Sequence, residues 1–439
     1  MIVMKFGGTS VGSAERIKNT SAIINSRLES KPIVIVSAVT KVTDMLIKLA
    51  NECSLGHGSE TLEIIQNTHK KILAELNLQN SVLENDFREL SGLFNKSKNR
   101  HIDNELLDLF QSYGERMSSK IISAYLNKCK IKSKAFCSWE LGLRTDSDFG
   151  NAEPLESSYH SIKKKIKTLD LVPVITGFIG KNEDGKITTL GRGGSDYSAA
   201  IFGSAIDAGE IQVWTDVDGM MSTDPKLVRA ARTIGEVSFS EASELAYFGA
   251  RVLHPKTMLP AVKKNIPIKI LNSFNPKNHG TTILSRSFLS RQPVKAIAFK
   301  KNVTLVHIES TRMLGAIGFL ARIFYIFDKN RKSVDVVSTS EVSVSITLDN
   351  CGSIDHIIKE LKEFSNVEIS KGKSIICVVG EGIKNSRNLI SRTFSSLEKS
   401  RVNIEMISQG ASKINLTFIV NEKDLEKSVK ILHREYFGD

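Results

Sequence analysis

The first two-thirds of the chain alternates short apolar runs with longer amphipathic stretches, and this alternation constrains the fold more than any other feature. The runs are rich in Val and Ile and apolar on both faces, as buried strands of a parallel sheet are. They are Ile2–Phe6, Pro32–Ser37, Lys132–Cys137, Leu171–Gly177, Glu210–Thr215 and Ile268–Leu271. Helical patterns at 14–27, 104–128 and 157–167 separate them. The alternation predicts βαβ units, and so a mainly parallel sheet covered by helices on both faces.

Two features divide the chain further. Between about residues 60 and 100 the pattern is helical without a strand, which predicts a helical insertion beside the sheet. A segment containing Pro276, Gly280 and Pro293 then ends the alternation, so we place the end of the first domain near residue 290.

After Val294 a smaller β-α-β-β-α pattern occurs twice, and the pair Val334-Asp335 recurs as Val402-Asn403. Two copies predict two small ferredoxin-like modules. The alternative is one mixed α/β domain with a chance internal similarity.

Composition narrows the function classes. The 439 residues carry 60 Lys and Arg against 48 Asp and Glu, a formal charge of +12 that is typical of proteins with polyanionic partners. However, the sequence contains no zinc pattern, RNP-like aromatic string or recognisable helix-turn-helix, and no apolar run near the ~18 residues of a membrane span. The five cysteines are scattered, without a Cys-x-x-Cys pair. We therefore expect a reduced, cytoplasmic enzyme that binds neither nucleic acid nor membrane.

The first strand leads into Lys5-Phe6-Gly7-Gly8-Thr9-Ser10. A strand, a glycine pair and a helix in this order suit phosphate binding, because glycines let the backbone approach an anion and a helix N-terminus supplies partial positive charge. Lys5 adds a full charge. The motif is not a Walker P-loop, and a simple tight turn is the alternative.

A second glycine-rich motif is Thr188-Thr189-Leu190-Gly191-Arg192-Gly193-Gly194-Ser195-Asp196, ahead of a predicted helix over 196–206. The Arg192 guanidinium stands among glycines and can hold a carboxylate or phosphate through two hydrogen bonds. Asp196 could hold a metal or orient Lys5. Ser195 and Asp196 also suit helix capping, but capping does not explain the position of Arg192.

Three further positions are candidates. Thr215 and Asp216 follow a strand, where open α/β sheets bind ligands, although the nearby Asp218-Gly219 also fits a simple turn. Arg251 follows a small-residue turn and could reach a nucleotide phosphate, whereas we expect a structural role for His254.

Glu115 lies on a long predicted helix beside Gly114. A glycine costs about 1 kcal/mol in a helix interior, and close approach of a ligand would explain it. A solvated helix face is the alternative for Glu115.

Taken together, these motifs resemble those of the aspartokinases, which phosphorylate the β-carboxylate of L-aspartate with ATP. The match includes both glycine-rich motifs and continues into the C-terminal repeats, where it is most similar to the monofunctional, lysine-inhibited branch. It also includes Ser37-Ala38, Gly114-Glu115, Thr176-Gly177-Phe178, Trp214–Val217 and Phe248–Pro255.

The resemblance implies an architecture. Residues 1–290 would form an amino-acid-kinase α/β fold, the catalytic domain. Two ferredoxin-like βαββαβ ACT modules would follow, one at 301–371 and one at 295–300 plus 372–439. ACT modules bind amino acids, so lysine would be the allosteric effector of a homodimer paired through these modules.

The resemblance also assigns roles by position. Catalysis would fall to Lys5, Arg192 and Asp196. L-aspartate would be held by Thr43, Glu115, Phe178, Arg192 and Ser195. ATP would be held by Lys5, Gly7, Gly8, Thr215, Asp216, Met221, Lys226 and Arg251. Magnesium would arrive with ATP rather than at a protein metal site, and no tightly bound organic cofactor is implied. Effector lysine would be held by Met313, Val334, Asp335, Ser340 and Glu341.

The chemistry agrees with these assignments. A carboxylate acceptor is already ionised at pH 7, so the reaction needs positioning and charge cancellation more than a strong base. One alternative is another amino-acid-kinase activity, on glutamate or a uridylate, which the ACT-like tail and Arg192 disfavour. A regulatory amino-acid-binding protein with an inactive kinase domain is another, which intact Lys5, Arg192 and Asp196 disfavour. A nucleic-acid binder rests on charge alone.

Overall fold

A computed structural model describes residues 1–249, 253–285, 293–349, 352, 354–410 and 414–438. These residues form two compact units. The first contains 1–220, 235–239 and the described residues of 252–287. The second contains 221–234 and the described residues of 240–251 and 288–439.

The first unit is built on a mainly parallel sheet. Its strands, with a separate hairpin formed by the fifth and sixth, are β1 (Ile2–Phe6), β2 (Pro32–Val36), β3 (Ser133–Phe136), β4 (Val172–Thr176), β5 (Ile179–Lys181), β6 (Ile187–Thr189), β7 (Ile211–Thr215), β8 (Glu236–Ser238), β9 (Ile268–Asn272) and β10 (Thr281–Leu284). The eight-stranded sheet has the order β3-β4-β2-β1-β7-β9-β10-β8, and every neighbouring pair is parallel except β9 with β10.

Helices connect these strands. In chain order they are α1 (Ala14–Asn25), α2 (Val42–Ser54), α3 (Ser59–Glu75), α4 (Glu84–Ser97), α5 (Asn104–Lys128), α6 (Ser157–Ile166), α7 (Gly194–Ala205), α8 (Phe239–Phe248) and α9 (Pro255–Lys263). All but the first residue of α8 belong to the second unit. Helices α3 and α4 occupy the stretch in which the sequence predicts helix without strand.

Both faces of the sheet are buried. Met4 and Phe6 of β1 point into a core that α1, α2, α4 and α5 complete. On the opposite face α7 lies against the sheet so closely that a β-carbon on Gly203 would come within 2.6 Å of the Ile211 side chain. Helices therefore cover both faces, which confirms the predicted fold class.

The second unit contains an antiparallel sheet. Its strands are β11 (Ala296–Glu309), β12 (Val337–Thr339), β13 (Ser343–Asp349), β14 (Asn366–Val379), β15 (Met406–Ser408) and β16 (Asn415–Asn421). Its further helices are α10 (Phe319–Lys329), α11 (Asp355–Lys362), α12 (Leu389–Lys399) and α13 (Glu422–Phe437). The strand order is β12-β13-β11-β14-β16-β15.

Two separate cores lie along this sheet, and the long strands β11 and β14 run past both. Val306 of β11 packs in one core with α10 and α11, whereas Ile297 of the same strand packs in the other with α12 and α13. The pairing of β11 with β14 shifts register between Lys300 and Leu305. One core per module agrees with two ferredoxin-like modules, while the boundaries at 290, 300 and 371 stay predictions.

No helix in the described residues is long and apolar enough to cross a membrane.

Candidate functional site

The centre of the site is an ion pair between the two glycine-rich motifs. Strand β1 carries Lys5 to the carboxyl end of the sheet, and α7 carries Asp196 in its first turn. The Lys5 Nζ lies 2.6 Å from the Asp196 Oδ1, and the two side chains are 10 % and 14 % exposed. This is the contact expected if Asp196 orients Lys5.

The glycine pair after β1 forms a tight backbone turn beside that ion pair. The Gly7 N–H donates to the Trp214 carbonyl at 3.1 Å, which fixes the turn next to the end of β7. A β-carbon on Gly8 would lie 3.0 Å from the Ala38 carbonyl oxygen. The structure therefore shows a close-packed turn next to a buried ammonium, and phosphate binding at this turn stays a prediction.

The second motif begins where β6 ends and closes at the start of α7. Gly191 and Gly193 have φ values of 73° and 71°, the left-handed region that glycine favours. A β-carbon on Gly194 would lie 2.6 Å from the ring of Phe178, which itself has a φ of 65°. Arg192 is exposed between these glycines, and among the described residues its guanidinium has no ion-pair partner.

A buried carboxylate that the sequence analysis missed supports this motif. Asp108 of α5 accepts hydrogen bonds from the Thr189 N–H and hydroxyl, both at 2.8 Å, and from the Gly150 N–H at 2.9 Å. Its signal in the sequence is weak: it is an acidic residue on the same helix face as Glu115, seven positions earlier.

Glu115 is buried, which rules out a solvated helix face. It is 3 % exposed, and its Oε1 accepts the Ala38 N–H at 3.0 Å. Its Oε2 is buried without a hydrogen-bond partner among the described residues. Burial raises the pKa of Glu115 to about 8, although the backbone hydrogen bonds act to lower it.

The structure explains Gly114 differently from the sequence analysis. A β-carbon there would come within 2.6 Å of the Ala38 β-carbon. Close packing of α5 against the residues after β2 therefore requires the glycine, without a ligand.

Ser195 and Thr43 lie at helix starts. Ser195 is 8 % exposed in the first turn of α7, and a β-carbon on Gly177 would lie 2.8 Å from its Oγ. Thr43 is half-buried in the first turn of α2, two residues after Lys41, which has the left-handed conformation.

The nucleotide residues predicted in the first unit lie next to the glycine turn. Strands β1 and β7 are parallel neighbours with Phe6 opposite Trp214, so Thr215 follows on the same edge as Gly7. The Thr215 hydroxyl donates to the exposed Asp216 carboxylate at 3.2 Å.

The other residues predicted to bind the nucleotide do not belong to the described part of the first unit. Met221 and Lys226 belong to the second unit, where the Thr233 hydroxyl donates to the Met221 sulfur at 3.5 Å and Lys226 is exposed. Arg251 lies outside the described residues. His254 is exposed ahead of α9, and its backbone carbonyl accepts the Thr257 N–H and hydroxyl, while a structural role for its side chain stays a prediction.

No group of three or more His, Cys, Asp and Glu side chains suited to a metal ion occurs in the part of the chain that the structure describes.

The residues predicted to bind an effector lie in the second unit. Asp335 is already paired there: its Oδ2 lies 2.9 Å from the Lys300 Nζ, and its Oδ1 accepts the Tyr247 hydroxyl at 2.7 Å. Lys300 also lies 2.6 Å from Asp349. Bonds to both carboxylates raise the pKa of Lys300, although burial acts to lower it. The carboxylate proposed for an effector ammonium therefore already holds an ammonium of this chain.

Of the other four predicted effector residues, two lie on the edge of one core and two are exposed. Met313 and Val334 are half-buried against the core that contains Val306. The Ser340 hydroxyl lies 2.8 Å from that of Ser343, and Glu341 is exposed.

Comparisons with known proteins identify the class. Residues 1–272 match the amino acid kinase family, and residues 376–436 match an ACT domain. The fold and the glycine-rich site are thus those of an amino acid kinase with an ACT-containing tail.

Individual relatives narrow the class. The chain is 41 % identical to aspartokinase 1, chloroplastic, of Arabidopsis thaliana, over 99 % of this chain and 80 % of that protein. It is 35 % identical to lysine-sensitive aspartokinase 3 of Escherichia coli (strain K12), over 100 % and 99 %. A crystal structure of E. coli aspartokinase III in complex with aspartate and ADP has a TM-score of 0.84 and 34 % identity, with complete coverage of both chains. The chain belongs to the aspartokinases, which confirms the predicted family.

Proposed function

We propose that this protein transfers the γ-phosphoryl group of Mg-ATP to the β-carboxylate of L-aspartate, which gives 4-phospho-L-aspartate and ADP. This is the first step of the pathway to the aspartate-derived amino acids. The observation that carries the proposal is the Lys5–Asp196 ion pair between two glycine-rich turns, in a chain of the aspartokinase family.

Lys5 is the group proposed to neutralise the transferred phosphoryl. Asp196 holds its ammonium at the edge of the sheet, where the backbone of Gly7 and Gly8 can approach the phosphate. In the transition state, the transferred phosphoryl group carries its charge on the peripheral oxygens. A fixed ammonium and backbone N–H groups stabilise that charge and so lower the activation free energy without a proton transfer.

Arg192 and Glu115 are the groups proposed to hold the charged ends of aspartate. The exposed guanidinium of Arg192 can form two hydrogen bonds to a carboxylate. The Glu115 Oε2, which has no hydrogen-bond partner among the described residues, can accept a hydrogen bond from the α-ammonium. Thr43, Ser195 and Phe178 are proposed to complete the substrate pocket.

ATP is proposed to bind along Thr215 and Asp216, with Met221, Lys226 and Arg251 as further contacts. Magnesium would enter as part of the nucleotide substrate and would neutralise part of the charge of its phosphates.

Lysine is proposed to inhibit the enzyme through Met313, Val334, Asp335, Ser340 and Glu341, in a homodimer paired through the ACT modules. The E. coli relative is named as lysine-sensitive, and this supports lysine as the effector. An ammonium bound at Asp335 would have to exchange with that of Lys300.

The cytoplasm is the proposed location. The cysteines among the described residues, Cys53, Cys129, Cys137 and Cys377, are all free thiols, which suits a reducing compartment. Fractionation with an antibody to the native protein tests this.

Hydroxylamine trapping tests the reaction and its regulation together. Purified protein with Mg-ATP and L-aspartate should form a hydroxamate, and added lysine should suppress it. Hydroxamate formation with glutamate in place of aspartate would identify a different amino-acid-kinase activity. Activity that stays constant up to millimolar lysine would contradict the regulatory proposal alone.

A further inference from the structure

Asp108 is a buried carboxylate that none of the proposed substrate contacts uses. It is 1 % exposed on α5 and accepts three hydrogen bonds, two from Thr189 and one from the Gly150 N–H. Burial raises its pKa, while the bonds from Thr189 and Gly150 act to lower it. Burying a carboxylate costs free energy, which its hydrogen bonds to Thr189 and Gly150 offset, so these bonds are the evident role of Asp108.

Asp108 joins two segments that also contact each other. The Thr189 carbonyl accepts the Ala152 N–H at 2.8 Å. A β-carbon on Gly191 would lie 2.8 Å from the Asn151 Oδ1, so the two segments touch there without room for a side chain. Through its hydrogen bonds to Gly150 and Thr189, the Asp108 carboxylate attaches both segments to α5.

Arg192 lies just after the segment at Thr189 that is hydrogen-bonded to Asp108. It is three residues beyond Thr189, between two glycines that by themselves would leave it free to move. On the β6 side of the Arg192 loop, the hydrogen bonds between Thr189 and Asp108 restrain the path of the chain, and on the α7 side the Ser198 hydroxyl donates to the Gly194 carbonyl at 2.9 Å.

The same helix carries Glu115. Asp108 and Glu115 are seven positions apart, so both lie on one face of α5, with a rise between them of about 10 Å. One helix therefore carries both Glu115, which is proposed to bind the α-ammonium, and Asp108, which holds the loop of Arg192. Arg192 is proposed to bind a carboxylate of the substrate.

We propose that Asp108 is a positioning residue for aspartate: it sets the spacing of Arg192 from Glu115 through Thr189 and Gly150. It touches no substrate itself, and the proposal rests on the proposed function of those two residues. A spacing fixed in this way also selects for the length of the substrate, so its loss should weaken discrimination against glutamate, which is one methylene longer.

The test compares Asp108→Ala with Asp108→Asn. The alanine variant leaves three hydrogen-bond donors without an acceptor and so loosens the loop of Arg192. The KM for aspartate should therefore rise about tenfold, and the KM for ATP should stay within about twofold of the wild-type value. The asparagine variant should behave like the wild type, because its amide oxygen accepts both N–H groups and its NH₂ donates to the Thr189 hydroxyl.

Asp103→Ala is the matched control. Asp103 caps the same helix by accepting the Leu106 N–H at 2.8 Å, so its loss lowers stability but leaves the loop attached. The KM for aspartate should not change in this variant. An equal rise in both KM values for Asp108→Ala, or a rise of the aspartate KM in Asp103→Ala, would reduce Asp108 to a stabilising residue and overturn the proposal.

Amide hydrogen exchange decides the question independently of activity. Exchange across 189–194 should accelerate in Asp108→Ala and not in Asp108→Asn or Asp103→Ala, and unchanged exchange would overturn the proposal. Should the alanine variant not fold, Thr189→Val removes one of the three bonds and should show a smaller acceleration. A wild type that makes no acyl phosphate from aspartate would overturn the proposed function, while the exchange result still stands.

Discussion

The buried Glu115 predicts a pH dependence of aspartate binding. Burial raises its pKa from about 4.5 to about 8, so at neutral pH most of the free protein carries a neutral Glu115. The α-ammonium of aspartate requires the ionised form. The ionised fraction rises from about 1 % at pH 6 to about half at pH 8, and kcat/KM for aspartate should rise about fifty-fold over that interval.

The assay is kcat/KM for aspartate from pH 6 to 9 at saturating Mg-ATP, with ADP release as the readout. Free aspartate keeps the same charges between pH 6 and 8, so the profile reports the enzyme. Glu115→Gln should be slow and should lose the rise with pH, because an amide does not ionise. A flat wild-type profile, or the same slope in the Gln variant, would refute the assignment of Glu115.

The raised pKa of Glu115 also predicts how the free energy of unfolding depends on pH. An ion-paired carboxylate stabilises a protein more as pH rises, whereas Glu115 should do the opposite. The native state keeps a proton on Glu115 that the unfolded state releases above pH 4.5, so stability falls as pH rises towards 8. The shift corresponds to roughly 5 kcal/mol at most. Glu115→Gln should therefore melt above the wild type at pH 8, and the gap should narrow at pH 5; a gap that does not depend on pH would contradict the raised pKa.

Three further predictions follow from single contacts. Lys5→Met should lower kcat by two or more orders of magnitude with the fold intact by circular dichroism, and near-normal turnover would remove it from the mechanism. Gly114→Ala should lower the free energy of unfolding by about 1–3 kcal/mol because its β-carbon has no room, whereas Gly92→Ala, in open space on another helix, should raise it by up to about 1 kcal/mol. Chemical denaturation measures both, and equal effects would contradict the packing. Lys300→Met should lower the lysine concentration for half-inhibition several-fold because no internal ammonium competes for Asp335; an unchanged or higher concentration would show that the effector leaves this pair intact.

The elements that the sequence predicts best are those with a clear hydrophobic pattern. Strand β1 and helix α5 have the predicted bounds, because a short, mostly apolar run predicts a buried strand and a long amphipathic period predicts a helix. The loop around Arg192 was also predictable, since its glycines favour the left-handed conformation that Gly191 and Gly193 adopt.

What the sequence could not predict depends on partners far along the chain. The first half of β14, Asn366–Lys373, is largely polar and forms a strand by pairing with β11. Asp108 meets Thr189 across 81 positions. Likewise, the resemblance assigns Asp335 to an effector and gives no sign of its ion pair with Lys300.

The central claim is tested most directly by identifying the atom that receives the phosphoryl group. L-aspartate labelled with ¹³C at the side-chain carboxyl is incubated with the protein and Mg-ATP, and ¹³C and ³¹P spectra are recorded together. We expect an acyl phosphate in which phosphorus couples to the labelled carbon, formed in equal amount with ADP. ADP released without that coupled signal, or phosphate found on another group, would contradict it.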